Sequence, residues 1–379
     1  MPTSFKPGPV LAAIVLLSLG SCAELSELPL QPELAGTSQL AVLGNTSGWN
    51  STETNDTRSV AWGDVDGDGD LDLAVGNIPH GSLGAVNLVY LNIGGTLEAS
   101  ASWSSAEIDD TRSVAWGDVD GDGDLDLAVG NSVGATRVYV NNAGTLESSA
   151  SWSSAETDII YSVAWGDLDG DGDLDLAVGN AGGVNRVYLN IGDTLEASAS
   201  WSSTEMDSTH SVAWGDLDGD GDLDLAVGNH GAANRVYRND GGSLESSASW
   251  SSTEMDSTWS VAWGDLDGDG DLDLAVGNGH NQTNRVYLND GGSLESSASW
   301  SSTEMEYSMT VAWGDLDADG DLDLAVGTSD QPNRVYLNNG GSLESSASWS
   351  STEIDEVTWS VAWGDVDGDG TLDLAAGSW

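Results

Sequence analysis

The chain has 379 residues, of which 63 are acidic and nine basic, and a formal net charge of −54. Its only lysine is Lys6, so the basic residues beyond it are all arginine. Such a surface repels phosphate backbones and anionic headgroups; it excludes nucleic acid as a partner and attracts cations.

Residues 1–22 stand apart from the rest. Lys6 gives a weakly positive start, and residues 10–19 are almost wholly apolar, too short to span a bilayer but long enough for the core of a secretory signal. The stretch ends in Leu19-Gly20-Ser21-Cys22, which resembles the bacterial lipobox. That resemblance implies a lipoprotein signal peptide over 1–21 and a lipid on Cys22. The chain would then be exported and anchored at the cell envelope (outer membrane or cell surface), touching the membrane only through the lipid. An ordinary signal peptide with an incidental cysteine is the alternative. Cys22 is the sole cysteine, so no intrachain disulfide is expected. Residues 22–37, with their prolines and glutamates, read as a tether.

From residue 38 onward the chain repeats. Trp62-Gly63-Asp64-Val65-Asp66-Gly67-Asp68-Gly69-Asp70-Leu71-Asp72-Leu73-Ala74-Val75-Gly76-Asn77 returns in seven copies, opened by Trp62, Trp116, Trp165, Trp214, Trp263, Trp313 and Trp363. A period of about 49 residues marks an array in which each unit buries its apolar face against its neighbours. In the fifth unit Ser260-Val261-Ala262-Trp263-Gly264 alternates large and small side chains, as a strand does, with Val261 and Trp263 on one face. Leu272, Leu274 and Val276 share a face of a second strand, residues 285–289 form a third, and residues 294–300 a serine-rich outer fourth. Four antiparallel strands per unit make a β-propeller blade, and the chain reads as an all-β, seven-bladed β-propeller over 38–379. The last copy stops at Trp379, after its second strand. Residues 41–49 match 193–201 of a full unit and are expected to supply the missing outer strand, with 31–40 supplying the third. A truncated, open array is the competing reading.

The aspartates follow one numbering in every copy. Positions 1, 3, 5, 7 and 9 are Asp64, Asp66, Asp68, Asp70 and Asp72 in the first copy, and Asp118, Asp120, Asp122, Asp124 and Asp126 in the second. They are Asp167, Asp169, Asp171, Asp173 and Asp175 in the third, and Asp216, Asp218, Asp220, Asp222 and Asp224 in the fourth. The fifth carries Asp265, Asp267, Asp269, Asp271 and Asp273, the sixth Asp315, Asp317, Asp319, Asp321 and Asp323, and the seventh Asp365, Asp367, Asp369, Thr371 and Asp373. Position 6 is always glycine, at a tight turn. Alternating hard oxygen donors on a folded-back loop suit Ca²⁺, with position 7 offering its main-chain carbonyl and position 9 a closing carboxylate. A solvated Asp-Gly turn is the plain alternative for one such loop, but packing these carboxylates together without a cation is unfavourable. Up to seven structural Ca²⁺ ions are expected. Ala318 replaces glycine at position 4 of the sixth copy, which is not a ligand position.

The unit resembles the FG-GAP and VCBS-type repeat of integrin α-subunit propellers and many bacterial surface proteins. Trp62-Gly63 stands where that family has Phe-Gly, and Ala74-Val75-Gly76 where it has Gly-Ala-Pro. The resemblance covers residues 40–379 and implies a seven-bladed propeller with calcium between the first and second strands of each blade.

Variation between copies concentrates on the end of the blade away from the aspartate loops. The residue two before the first strand's valine runs Arg58, Arg112, Tyr161, His210, Trp259, Met309 and Trp359. These side chains are expected either to form a recognition surface or to plug gaps between blades. The four histidines, His80, His210, His230 and His280, occupy different places in the repeat, so no metal triad is expected of them. No nucleophile elbow, zinc signature or phosphate loop occurs, and the expectation is not an enzyme. The sequence therefore predicts a monomeric, cell-surface binding or adhesion module whose partner is an extracellular protein or a glycan. A carbohydrate-binding lectin or polysaccharide lyase using the varied face is the alternative.

Overall fold

The computed structural model of the chain describes residues 23–25, 49, 51–53, 56–78, 85–352, 357–365 and 372–378. The signal peptide, Cys22, most of the tether, residues 41–48, His80, Asp367, Asp369 and Thr371 lie outside the described residues.

Among the described residues the chain is a β-propeller with six complete four-stranded antiparallel blades, not the seven expected. Blade one is Asp56–Gly63, Asp72–Ile78, Leu88–Tyr90 and Trp103–Ser104, and each later blade repeats that order. The inner strands of blades two to six are Thr111–Gly117, Ile160–Gly166, Thr209–Gly215, Thr258–Gly264 and Ser308–Gly314. The seventh repeat forms a three-stranded sheet from Thr358–Gly364 and Asp373–Ser378, with Ala23–Leu25 pairing antiparallel to the latter. The third strand comes from 23–25, inside the segment read as tether; residues 31–40, expected to supply it, lie outside the described residues. Trp49 packs edge-on against Tyr90 at 5.2 Å, the same contact that Trp103 makes with Tyr139 at 5.3 Å. It therefore takes the place that outer-strand tryptophans hold against the following blade.

The outer strands are shorter than expected. In blade five only Trp300–Ser301 is strand, while Leu294 bridges Asn289 and turns its buried side chain into the core. Serines between them bend the chain, leaving a two-residue edge that offers little to a pairing partner.

Apolar clusters lie between blades, as the alternation requires. One joins Leu168, Ala177 and Val187 of blade three to Val212, Leu225 and Tyr237 of blade four. The inner tryptophans from Trp116 to Trp363 also donate their indole N–H to the blade before them, as Trp214 does to Ala164 O at 3.2 Å and Trp263 to Ala213 O at 3.2 Å. Tyrosines of the third strands clamp the same joints, with Tyr237 Oη donating to Glu205 at 3.1 Å. Where the seventh sheet meets blade one, the Trp62 indole N–H is buried without a partner. A Cβ on Gly364 would lie 3.5 Å from Trp62, against 2.6 Å for Gly215 and Trp263. That seam is the loosest joint of the ring.

Candidate functional site

The aspartate loops join the first and second strands of each blade. Position 1 accepts the N–H of the position-6 glycine, as in Gly69 to Asp64 at 3.0 Å and Gly123 to Asp118 at 3.0 Å. Those glycines have φ near +98°, in the region that favours glycine. Ala318 adopts φ +58° where its counterparts are glycine, a conformation that strains any residue with a Cβ. Position 9 is the hub of the loop. Asp72 is fully buried and accepts Val65 N at 2.8 Å and Asn92 N at 2.7 Å, one on each oxygen. Asp126, Asp175, Asp224, Asp273 and Asp323 repeat the pattern.

Position 7, whose main-chain carbonyl is the expected ligand, uses its side chain elsewhere. Asp70, Asp124, Asp222, Asp271 and Asp321 accept backbone N–H groups of the turn between the third and fourth strands, as in Ala143 to Asp124 at 2.7 Å. Their carboxylates staple two turns together. The next blade clamps the loop as well: the Asn141 side chain donates to Val65 O at 2.7 Å, and Asn239 to Leu168 O at 2.7 Å. These clamps are invisible in one repeat because their partners lie about seventy residues away.

What remains in each loop is a concentrated set of oxygen donors. Carboxylate oxygens of Asp64, Asp66 and Asp72 lie within 4.8 Å of one another, as do those of Asp118, Asp120 and Asp122, and of Asp167, Asp169 and Asp175. Asp216, Asp218 and Asp224, and Asp265, Asp267 and Asp269, form further groups. Four loop oxygens, Asp64 Oδ1, Asp120 Oδ1, Asp218 Oδ1 and Asp317 Oδ1, are buried without a hydrogen-bond partner. A buried carboxylate oxygen with no donor is costly, and a hard cation would satisfy it. The residues fit one. Blade four differs in that the Arg238 guanidinium, standing where most other copies have leucine, pairs with the other oxygen of Asp218, Oδ2, and adds a positive charge at that loop.

Burial, augmented by neighbouring aspartates, pushes the position-9 carboxyls of Asp72, Asp126, Asp175, Asp224, Asp273 and Asp323 up to about 6. A carboxyl with a raised folded-state pKa holds its proton in the folded chain to higher pH than in the unfolded one. The stability it contributes is present below the ordinary pKa of about 4 and lost as pH rises through about 6. Metal-stripped protein should therefore melt at higher temperature at pH 4.5 than at pH 7. Thermal melts across that range check this, and a melting point that climbs with pH would contradict it.

Loop geometry and repeat agree with comparison to known families. The FG-GAP-like repeat matches residues 78–129, 119–178, 167–227, 216–276, 269–326 and 315–376, and the FG-GAP repeat matches 57–86. The chain belongs to the FG-GAP repeat family. No curated protein matches it. Among solved structures, this FG-GAP propeller is similar to the BBS1N structure in complex with ARL6DN, soaked with lead, at 14% identity and TM-score 0.55, covering 84% of this chain and 91% of that one. It is also similar to Saccharomyces cerevisiae Sqt1, at 12% identity and TM-score 0.57, covering 87% and 86%.

At the opposite end of the inner strands the FG-GAP propeller gathers its varied residues. Register shifts fall at Arg58, Arg112, Tyr161, His210, Trp259, Met309 and Trp359, so each is the extra residue of a β-bulge. A bulge re-aims the side chain of its strand, and these meet one another. Arg58 lies over Trp359 at 5.6 Å and Arg112 over Tyr161 at 5.3 Å. Tyr161 stacks on His210 at 4.4 Å, His210 meets Trp259 edge-on at 4.4 Å, and Trp259 meets Trp359 at 5.7 Å although blade six lies between them. Met309 and His210 are buried and the others half-buried. Burial pushes Arg58 down to about 9 and, with His230 and Arg112 adding to it, His210 down to about 3.

The structure brings three of the histidines together. His210, His230 and His280 come together: His230 stacks on His210 at 5.2 Å, and His230 Nε2 lies 3.1 Å from His280 Nε2. They belong to an inner strand and to the second-to-third turns of two neighbouring blades. Their unequal places in the repeat concealed a proximity that only the ring creates.

Proposed function

We propose that this FG-GAP propeller is a calcium-stabilised binding module, exported and held at the cell envelope through a lipid on Cys22. Calcium is the cation we assign to the aspartate loops, on the oxygen-only donor set and the unpartnered buried oxygens. A seventh calcium falls to the loop of the last repeat. The loops then serve the scaffold and the opposite end serves recognition of an extracellular protein or glycan.

The observation that carries this reading is the contrast between the two ends. The loop end repeats the same contacts blade after blade. The other end carries the bulge residues and, in the connections leading to the inner strands, exposed apolar side chains: Ile108, Met206, Met255 and Met305, between 62% and 71% exposed. Exposed methionines and half-buried tryptophans rimmed by polar chain are the composition of an interaction surface.

Trp259, Trp359, Tyr161 and Tyr307 at that end also favour a second reading, in which the partner is a glycan stacked on aromatic faces. A glycan array in calcium buffer, followed by incubation of hits with the free protein, separates binding from cleavage. For any captured ligand, Met206→Asp combined with Met255→Asp or Trp359→Ala should weaken capture while calcium-loaded melting changes little. Unchanged capture in all variants would move the binding surface elsewhere, and shortened or unsaturated sugars would show a lyase.

A further inference from the structure

Within the recognition end, the histidine cluster supports a chemistry of its own. We propose that His230 and His280, with Tyr307 beside them, form a site for a divalent d-block cation of the zinc class, bridging blades four and five. Nothing in the proposed function requires it.

The argument begins with distance. Zinc–imidazole bonds are roughly 2.0–2.1 Å, so two nitrogens 3.1 Å apart both reach one ion and subtend an angle of roughly 100° there. Tyr307 Oη lies 3.3 Å from the same His280 Nε2, placing an oxygen at the spacing of an adjacent ligand. Imidazole donors suit zinc, copper or nickel, whereas calcium takes the all-oxygen loops at the other end.

The surroundings hold the pair in place. The His230 ring stacks on buried His210 at 5.2 Å and meets the Trp259 edge at 5.8 Å. The His280 ring lies tilted against Tyr307 at 4.8 Å. The backbone makes room at some cost: His280 and Asn281 both have φ +58°, and a Cβ on Gly279 would lie 2.6 Å from Trp259 Nε1. Two consecutive non-glycine residues in the left-handed region are strained, and the result of that strain is to bring His280 against His230.

The experiment is a zinc titration by calorimetry on the full chain held in excess calcium, so that the carboxylate loops are occupied. One zinc per chain should bind. Partners outside the direct ligand set alone are worth roughly 10–100-fold in metal affinity, so His280→Ala should weaken binding at least tenfold and Tyr307→Phe by less. His280 sits on an exposed turn, so His280→Ala should leave the calcium-loaded melting temperature unchanged, which separates this site from the fate of the calcium reading. The same titration repeated with copper should show nitrogen hyperfine structure in its electron paramagnetic spectrum, lost in His280→Ala. No zinc uptake, or uptake that His280→Ala leaves unaltered, overturns the proposal and leaves a simple N–H···N hydrogen bond between the two rings.

Discussion

Stripping calcium from the intact chain should lower its melting temperature by roughly 10–25 °C. Extracellular calcium modules bind at about 10⁻⁴–10⁻³ M, so at about 10 mM free ion each site adds roughly 1.4–2.7 kcal/mol by mass action. The loops of the six complete blades would together contribute on the order of 8–16 kcal/mol. An entropy of unfolding near 2.1 cal/mol/K per residue turns that into the stated interval for a propeller of this length. The effect should be steep because the loops are also the joints: Asn141, Asn190, Asn239, Asn289 and Asn338 each donate to the backbone of the preceding loop at 2.7–2.8 Å. A loop splayed by its own charge loosens the blade that follows. The check is a pair of scanning-calorimetry traces, with calcium and after chelation, alongside elemental analysis of dialysed protein. Superimposable traces and no retained calcium would remove the cation from the account.

Trp263→Ala should destabilise the chain by about 3–5 kcal/mol, the usual cost of deleting a large core aromatic. The indole bridges two blades through packing and through its N–H to Ala213 O, and its removal takes away both the packing and that bond between blades. The opposite change at the same joint is also informative. In Gly215→Ala the new methyl would sit 2.6 Å from Trp263 Cδ1, closer than side-chain carbons approach, so the blades must separate; overpacking of this kind costs about 1–3 kcal/mol. Gly364→Ala occupies the equivalent place at the seam, but its nearest neighbours would be Leu71 at 3.2 Å and Trp62 at 3.5 Å. It should cost clearly less. Denaturant midpoints of the three variants, in calcium, test the whole pattern, and equal losses for the two glycine variants would mean that the seam is as tight as every other joint.

Reading the residues in order was enough for the repeat, the inner strands and the place of the aspartate loops, because each depends on neighbours within one unit. Alternating Val261 and Trp263 show a half-buried strand at once, and Asp64 to Asp72 show a loop that gathers oxygen donors. The same reading separated a uniform end from a varied one, and the varied residues are the bulge positions that meet at the far end of the inner strands.

Elsewhere local pattern was an incomplete guide. Serine-rich outer segments alternate like strands, yet bends reduce them to two residues such as Trp300–Ser301. The last sheet takes Ala23–Leu25 as its third strand, a pairing across nearly the whole chain that no period announces. The side chains of the position-7 aspartates accept backbone N–H groups of a neighbouring turn, a partnership visible only once that turn is in place.

By itself, then, the order of residues determined the unit: its strands, its charge-dense loop and its family. Closing the units into a ring decided what each unit touches. Interblade bonds such as Trp214 to Ala164 span fifty residues of chain, and the meeting of His230 with His280 depends on the angle between blades. Local propensity sets backbone shape over a few residues, whereas these contacts are set by how large apolar faces pack, and packing is a property of the assembled ring.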